Sequence, residues 1–100
     1  GNQGDIECFE DENGILVEVT MSGGRTQTMM EVWPISRHLT EFSKKVKEKT
    51  MCHFIAPSIY VDSEKQIKYV KDTEELNIKP RSIEQFIGFL ETNEKLFEMN

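Results

Sequence analysis

Hydrophobic and polar positions alternate near the start of the chain and then recur with helical spacing. Residues 5–10 and 15–21 alternate with a period of two on either side of the turn-forming letters DENG, which predicts a β-hairpin. Residues 26–50 carry apolar side chains with helical spacing, which predicts a helix whose buried positions are Met30, Trp33 (or Val32), Leu39, Phe42 and Val46. Pro34 is the position at which that helix is expected to kink or restart.

The second half of the chain alternates strand-like and helical patterns. The apolar run MCHFIAP predicts a central buried strand, and LNIKP predicts a short edge strand. A helix capped by Asp62 or Ser63 is predicted between them, and a last amphipathic helix begins at Ser82. The order β-β-α-β-α-β-α predicts an α/β fold, a mixed sheet flanked by helices. The positions predicted to be buried on the last helix are Ile83, Phe86, Ile87 and Leu90.

Composition, charge and the first residues of the chain add four points to this picture. The 100 residues are 37% hydrophobic and 30% charged, which predicts a single globular domain over residues 1–100. The net charge of −6 argues against unaided binding of nucleic acid. No membrane-spanning run or signal-peptide pattern is present, so we expect a cytoplasmic location and no membrane partner. Because the sequence opens with GNQGD rather than methionine, we expect a fragment of a longer protein.

A carboxylate, Glu18, interrupts the apolar run ILVEVT in the second predicted strand. Burying an ionised side chain is costly unless a charge meets it, so Glu18 indicates a bound cation. Facing residues of an antiparallel pair have a constant index sum, and the hairpin admits two registers. A loop over residues 10–13 gives a sum of 23 and sets Asp5 opposite Glu18, with Cβ atoms roughly 5 Å apart. A turn at Asn13-Gly14 gives 27 and separates them by roughly 13 Å, so metal binding predicts the longer loop or a bulge.

The strand ends carry the groups that divalent-metal chemistry uses. Asp5 and Glu18 would supply oxygen ligands to Mg²⁺, with Mn²⁺ as a substitute, and the backbone carbonyl of Val19 could supply another. Thr20 points to the same side as Glu18 and could orient water. A metal held there would polarise a phosphodiester and lower the pKa of a bound water, which predicts phosphodiester hydrolysis.

Further polar residues lie on the predicted loop and helix downstream. Gln27 and Glu31 are four positions apart and share one helix face. We expect Glu31 to be a further metal ligand and Gln27 to be a polar group behind the ligands. Arg25, in a glycine-rich loop, is predicted to contact a DNA phosphate. Arg37 and His38 are predicted either to contact a backbone phosphate or to pack against the sheet.

Each feature also has a purely structural interpretation. A strand with one solvated face carries glutamate routinely, and Gln27 with Glu31 fits an ordinary solvated helix face. His53 lies within an apolar strand and is predicted to be a core histidine. The corresponding functional alternative is a non-catalytic α/β interaction module.

The run DIECFEDENGILVEVTMSGGRTQTMMEVWPISRHL resembles the cleavage domain of type IIS restriction endonucleases of the AlwI kind, including nicking relatives such as BstNBI. HFIAP and SIEQFIGFLE are also similar to that family's downstream strand and closing helix. The ordered set that carries the resemblance is Asp5, Glu18, Val19, Thr20, Gln27, Glu31, Arg37, His38 and Leu39.

The resemblance implies a restriction-endonuclease-like core of the PD-(D/E)xK type that hydrolyses DNA with Mg²⁺. By position, Asp5 and Glu18 would be metal ligands and Glu31 an additional acid. Gly4 replaces the motif's proline, and Thr20 stands where many of these nucleases have the lysine that activates water. The family's upstream acidic helix and DNA-recognition domain are not in this sequence. The implied partners are double-stranded DNA and, for cutting both strands, a second catalytic subunit or a dimer.

Overall fold

The sheet is mixed, as the order of the predicted elements requires. The structure, a computed structural model, describes residues 6–99. Within this range four strands lie in the order β1-β2-β3-β4. β1 pairs antiparallel with β2, whereas β2 with β3 and β3 with β4 are parallel. The strands are β1 (Ile6–Glu10), β2 (Asn13–Val19), β3 (Thr50–Ala56) and β4 (Ile78–Ser82).

The helical region between β2 and β3 contains a wide turn in its middle. Thr28–Val32 is π-helical, and Pro34 lies in the first turn of the α-helix that follows it. Proline cannot donate the usual hydrogen bond to the preceding turn, so the change of helical geometry falls next to it. The α-helices are α1 (Gly24–Gln27), α2 (Trp33–Ser43), α3 (Val61–Glu74) and α4 (Ile83–Thr92).

The hairpin takes the register that metal binding requires. Ile6 faces Val17 and Glu10 faces Asn13, so the index sum is 23. The loop predicted over residues 10–13 is wrong, because Glu10 and Asn13 pair within the strands and only Asp11 and Glu12 form the turn. Gly14 therefore lies inside β2 rather than in the turn. A Cβ atom added at position 14 would come within 2.6 Å of Val46 Cγ2. Packing of the helix against Gly14 thus decides between two registers that the local sequence leaves open.

Each face of the sheet has its own apolar core. One face packs against α2 and α3, where Leu16 and Phe54 meet Leu39 and Val70. The other face carries Ile15, Val17, Met51 and Ile55, against which Phe86, Leu96 and Phe97 pack. In the part of the chain that the structure describes, no helix is long and apolar enough to cross a membrane.

One predicted core position of this helical region is wrong, and one pair of alternatives is decided. Met30 is exposed, and of the alternatives Trp33 and Val32 it is Val32 that is buried. The wide π turn rotates the buried face of the helix relative to a regular repeat, and this rotation brings Val32 inward.

On α4, Phe89 is buried and Phe86 is partly buried, because both rings pack around His53. The predicted positions Ile83, Ile87 and Leu90 are exposed on the other side of that helix.

Helix capping is predicted correctly once. Ser82 caps α4 and accepts a hydrogen bond from the Gln85 backbone, while the Gln85 side chain accepts one from the Ser82 backbone. The predicted cap of α3 at Asp62 or Ser63 is wrong, because the N-cap is Tyr60. Ser63 is buried and its hydroxyl bonds the Thr28 hydroxyl at 2.7 Å, so it joins α3 to the π-helical segment.

Candidate active site

Glu18 lies at the edge of the sheet where parallel strands end. It is the penultimate residue of β2, and the carboxyl ends of β2, β3 and β4 share that edge because the three strands are parallel. Ligands of α/β sheets bind outside the carboxyl ends of the strands. Glu18 is only 7% exposed, so its carboxylate is held at this edge largely out of water.

His38 on α2 is the partner of Glu18. Its Nδ1 lies 3.5 Å from Glu18 Oε2, and 40% of its side chain is exposed, so the imidazole connects a buried carboxylate with solvent. It also lines an open cleft of about 590 Å³ together with Trp33 and Arg37. The sequence predicts for His38 either a phosphate contact or packing against the sheet, and it does not predict this contact with Glu18. A separation of seven residues from Glu31, two helical turns, is the signal that links His38 to the predicted acidic face.

Thr20 follows the end of β2 and turns back on its own loop. Its backbone N–H donates to Ile55 O at 2.9 Å. Its hydroxyl lies 3.0 Å from the Ser22 hydroxyl and accepts from the Ser22 backbone N–H at 3.1 Å. At 4% exposure, the Thr20 side chain is engaged in shaping the turn after β2.

Gln27 is fully buried and uses its whole amide within the chain. Nε2 donates to Ser22 O at 3.1 Å and to Ser58 O at 2.7 Å, and Oε1 accepts from Tyr60 N at 2.8 Å. Gln27 therefore joins the turn after β2 to the turn after β3.

The other predicted site residues lie around this edge. Val19 is the half-buried last residue of β2, and Glu31 is half-buried in the π-helical segment. Arg25 is exposed on α1 and Arg37 is exposed on α2 at the wall of the cleft. Asp5 lies outside the described residues.

Some of the oxygen atoms at this edge of the sheet are suitable ligands for a hard divalent cation. Among residues 6–99 no group of three or more His, Cys, Asp or Glu side chains could hold a metal ion. Glu18 nevertheless offers a nearly buried carboxylate, and Mg²⁺ needs only one or two carboxylates because water and substrate phosphate complete its coordination. The hairpin register, with an index sum of 23, is the one that metal binding predicts.

His53, unlike His38, lies within an apolar core. It is fully buried, Nε2 lies 2.7 Å from Leu96 O, and the rings of Phe86 and Phe89 pack against it. Burial lowers the pKa of His53, so the imidazole is neutral at neutral pH. The prediction of a core histidine is confirmed.

Comparison with known proteins identifies the protein family to which this chain belongs. The family model of the AlwI restriction endonuclease matches residues 1–89. The chain therefore belongs to the AlwI restriction endonuclease family, and the resemblance found in its sequence is confirmed. No match was found among curated proteins.

A solved structure with the same fold is the small subunit (R.BspD6I2) of the heterodimeric restriction endonuclease R.BspD6I. The sequences are 26% identical and the TM-score is 0.71. The match covers 80% of this chain and 41% of that subunit, so the chain spans less than half the length of its structural neighbour. The predicted restriction-endonuclease-like α/β fold is confirmed, and family and fold together support a nuclease role.

Proposed function

We propose that this chain is the catalytic core of a Mg²⁺-dependent endodeoxyribonuclease that hydrolyses DNA phosphodiester bonds, as a type IIS restriction or strand-nicking enzyme of the PD-(D/E)xK superfamily. The observation that carries the proposal is the nearly buried Glu18 carboxylate at the carboxyl end of β2, beside a half-exposed histidine. Family membership supports the reaction class, and the hairpin register supports the pairing of Glu18 with Asp5.

Asp5 and Glu18 would hold the cation, with the carbonyl of Val19 beside them. Bound Mg²⁺ (or Mn²⁺) would supply Lewis-acid polarisation of the phosphodiester and a water of lowered pKa. Glu18 is fixed for this task by its strand and by His38. Glu31 is the remaining acid of the proposed set and lies in the π-helical segment directly before α2, the helix that carries His38.

His38 takes the place left by the missing lysine. Thr20 cannot act as a cation, and its hydroxyl is engaged with Ser22. The Gln27 amide is committed to two turns. His38 is half-exposed, lies 3.5 Å from Glu18 and lines the cleft. We assign to it the positioning of Glu18 and the handling of a proton next to the scissile phosphate.

DNA would approach this edge through exposed arginines. Arg25 and Arg37 are exposed on the helices that follow β2, and Arg37 lines the cleft beside His38. Two arginines do not offset a net charge of −6, so sequence recognition would come from other parts of the protein. The structural neighbour is a subunit of a heterodimer, which supports a second subunit for cutting both strands.

The second candidate is a non-catalytic interaction module. It is favoured by the exposed apolar side chains Met21, Met29, Met30 and Trp33, because protein partners cover such surfaces. It is also favoured by the absence of a lysine at position 20.

Cleavage of supercoiled plasmid by the full-length protein distinguishes the nuclease from the interaction module. The wild type should cut with Mg²⁺ or Mn²⁺, and Asp5→Ala and Glu18→Ala should each lower the rate on the order of a thousandfold, since a catalytic metal contributes several kcal/mol. Glu91→Ala, at an exposed position of α4, is the control and should cut normally. An inert wild type, or normal cutting by folded Asp5 and Glu18 variants, would exclude the nuclease and leave the interaction module.

A further inference from the structure

Two turns meet at the edge where Glu18 lies, and one buried side chain connects them. The turn after β2 contains Thr20 and Ser22, and the turn after β3 spans residues 57–60. β2 and β3 are parallel neighbours, so both turns leave the sheet on the side of Glu18. The sequence interpretation assigned no role to residues 57–60.

We propose that Gln27 is a positioning residue that fixes these two turns against each other and so holds the edge of the sheet at which Glu18 lies. This inference rests on the proposed nuclease function. Gln27 is fully buried, and a buried amide is costly unless its donors and acceptor are used. Both of its donor bonds go to backbone oxygens, of Ser22 and Ser58, and its acceptor is used by Tyr60 N–H.

The contacts of Gln27 differ from ordinary core packing because they hold backbone rather than fill space. Ser58 is exposed, so the turn that Gln27 holds faces solvent next to the site. Tyr60 is the N-cap of α3, so the same amide also sets where α3 begins. A shift of this side chain would therefore move the Thr20 turn, residues 57–60 and the start of α3 relative to Glu18.

Two substitutions test this role in plasmid cleavage by the full-length protein. Gln27→Glu keeps an acceptor for Tyr60 N–H but, when ionised, sets a negative charge against the carbonyl oxygens of Ser22 and Ser58. Gln27→Met keeps the length and removes all three hydrogen bonds. We expect kcat to fall roughly 10- to 100-fold, the usual cost of losing a group that orients a site, with a much smaller change in KM.

Ser63→Ala is the matched control. It removes the neighbouring part-buried bond between the Ser63 and Thr28 hydroxyls, which joins the same helical region to α3, and it keeps the Ser63 backbone N–H that donates to Tyr60 O at 3.0 Å. Ser63→Ala should lower the melting temperature while leaving kcat unchanged. Loss of kcat in proportion to melting temperature for the Gln27 and Ser63 variants alike would overturn the positioning role.

Hydrogen exchange measured by mass spectrometry tests the coupling without relying on activity. In the wild type the Tyr60 amide should be protected although it lies in a turn, and Gln27→Met should speed exchange of peptides covering residues 20–23 and 57–61 together. An unprotected Tyr60 amide, or a change confined to one peptide, would overturn the inference. Normal cutting by the Gln27 variants beside an inactive Glu18→Ala would also overturn it while the nuclease proposal stood. A wild type that does not cut DNA would overturn the nuclease proposal and the catalytic part of this inference. The hydrogen-exchange result would then decide by itself whether Gln27 couples the two turns.

Discussion

The two histidines of this chain lie on opposite faces of one sheet and show how the fold separates structure from chemistry. His53 on β3 is fully buried between Phe86 and Phe89, and burial lowers its pKa. His38 on α2 faces the Glu18 carboxylate with 40% of its side chain exposed. The first imidazole is arranged to stay neutral within a core, and the second is arranged to meet a charge and solvent.

The difference follows from the strand positions that each face presents. Val17 and His53 are register partners, so they lie on the face covered by α4 and the C-terminal segment. Glu18 is the next residue of β2 and points to the opposite face, at the edge where the parallel strands end. One step along a strand therefore separates a closed apolar core from the candidate active site.

Of the two histidines, His38 should have the larger effect on activity when it is replaced. In His38→Ala, plasmid cleavage by the full-length protein should fall roughly a hundredfold, the lower end of the contribution of a proton-transfer group, because Glu18 loses its neighbour. The melting temperature should change little, since the side chain is half-exposed. Cleavage at the wild-type rate would remove His38 from the site.

Replacing His53 should have the opposite effect. His53→Ala leaves a cavity between Phe86 and Phe89 and removes the contact with Leu96 O, so the free energy of unfolding should fall by about 3 kcal/mol. Urea denaturation measures this loss. The folded fraction should cut DNA at the wild-type rate, and a selective loss of kcat would contradict the separation of the two faces.

A smaller effect is expected at the cleft. Arg37→Ala should raise KM for DNA a few-fold and lower the salt dependence of binding by about one phosphate contact. Binding titrations at several salt concentrations measure this slope. Lys68→Ala, exposed on α3, is the control, and an equal change in both variants would mean that Arg37 contributes only general charge.

The smallest effect concerns pH. Burial lowers the pKa of His53 from its ordinary value of 6.5, with Arg81 also lowering it and Leu96 O, Glu98 and Glu10 opposing. The unfolded chain then binds more protons, so stability is complete above pH 6.5 and falls as the pH drops from 6.5 towards the folded-state pKa. Calorimetry of the full-length protein should show this loss, and His53→Phe should remove it.

Glu98 gives a separate window in the same experiment. The hydrogen bond from Arg81 lowers the pKa of Glu98 from 4.5, so its contribution is present above pH 4.5 and is lost as the pH falls through the lowered value. A pH profile of His53→Phe that equals the wild type in the window directly below pH 6.5 would show that His53 does not titrate as its burial implies.

The sequence predicts the order of elements and the face of the sheet on which Glu18 points, because both follow from local periodicity. It leaves the hairpin register open, because the loop over residues 10–13 and the Asn13-Gly14 turn are both acceptable locally. Packing of Phe42 and Val46 over Gly14 decides between them.

The contact of His38 with Glu18 and the bridge made by Gln27 depend on where the helix crosses the sheet. The π-helical segment sets that orientation, and the regular helical spacing read from the sequence does not include it. For the same reason the regular spacing predicts a buried Met30, which is exposed, and leaves open the choice between Trp33 and Val32, of which Val32 is buried.

Cation binding at Glu18 is the central claim, and Mn²⁺ binding tests it without requiring turnover. The free-Mn²⁺ signal in electron paramagnetic resonance would be followed as the full-length protein is titrated in the presence of duplex DNA. The wild type and the exposed-site control Glu91→Gln should bind Mn²⁺ equally, whereas Glu18→Gln, which keeps the shape of the side chain, should lose that binding. Equal binding by Glu18→Gln and the wild type would contradict the assignment of Glu18 as a metal ligand.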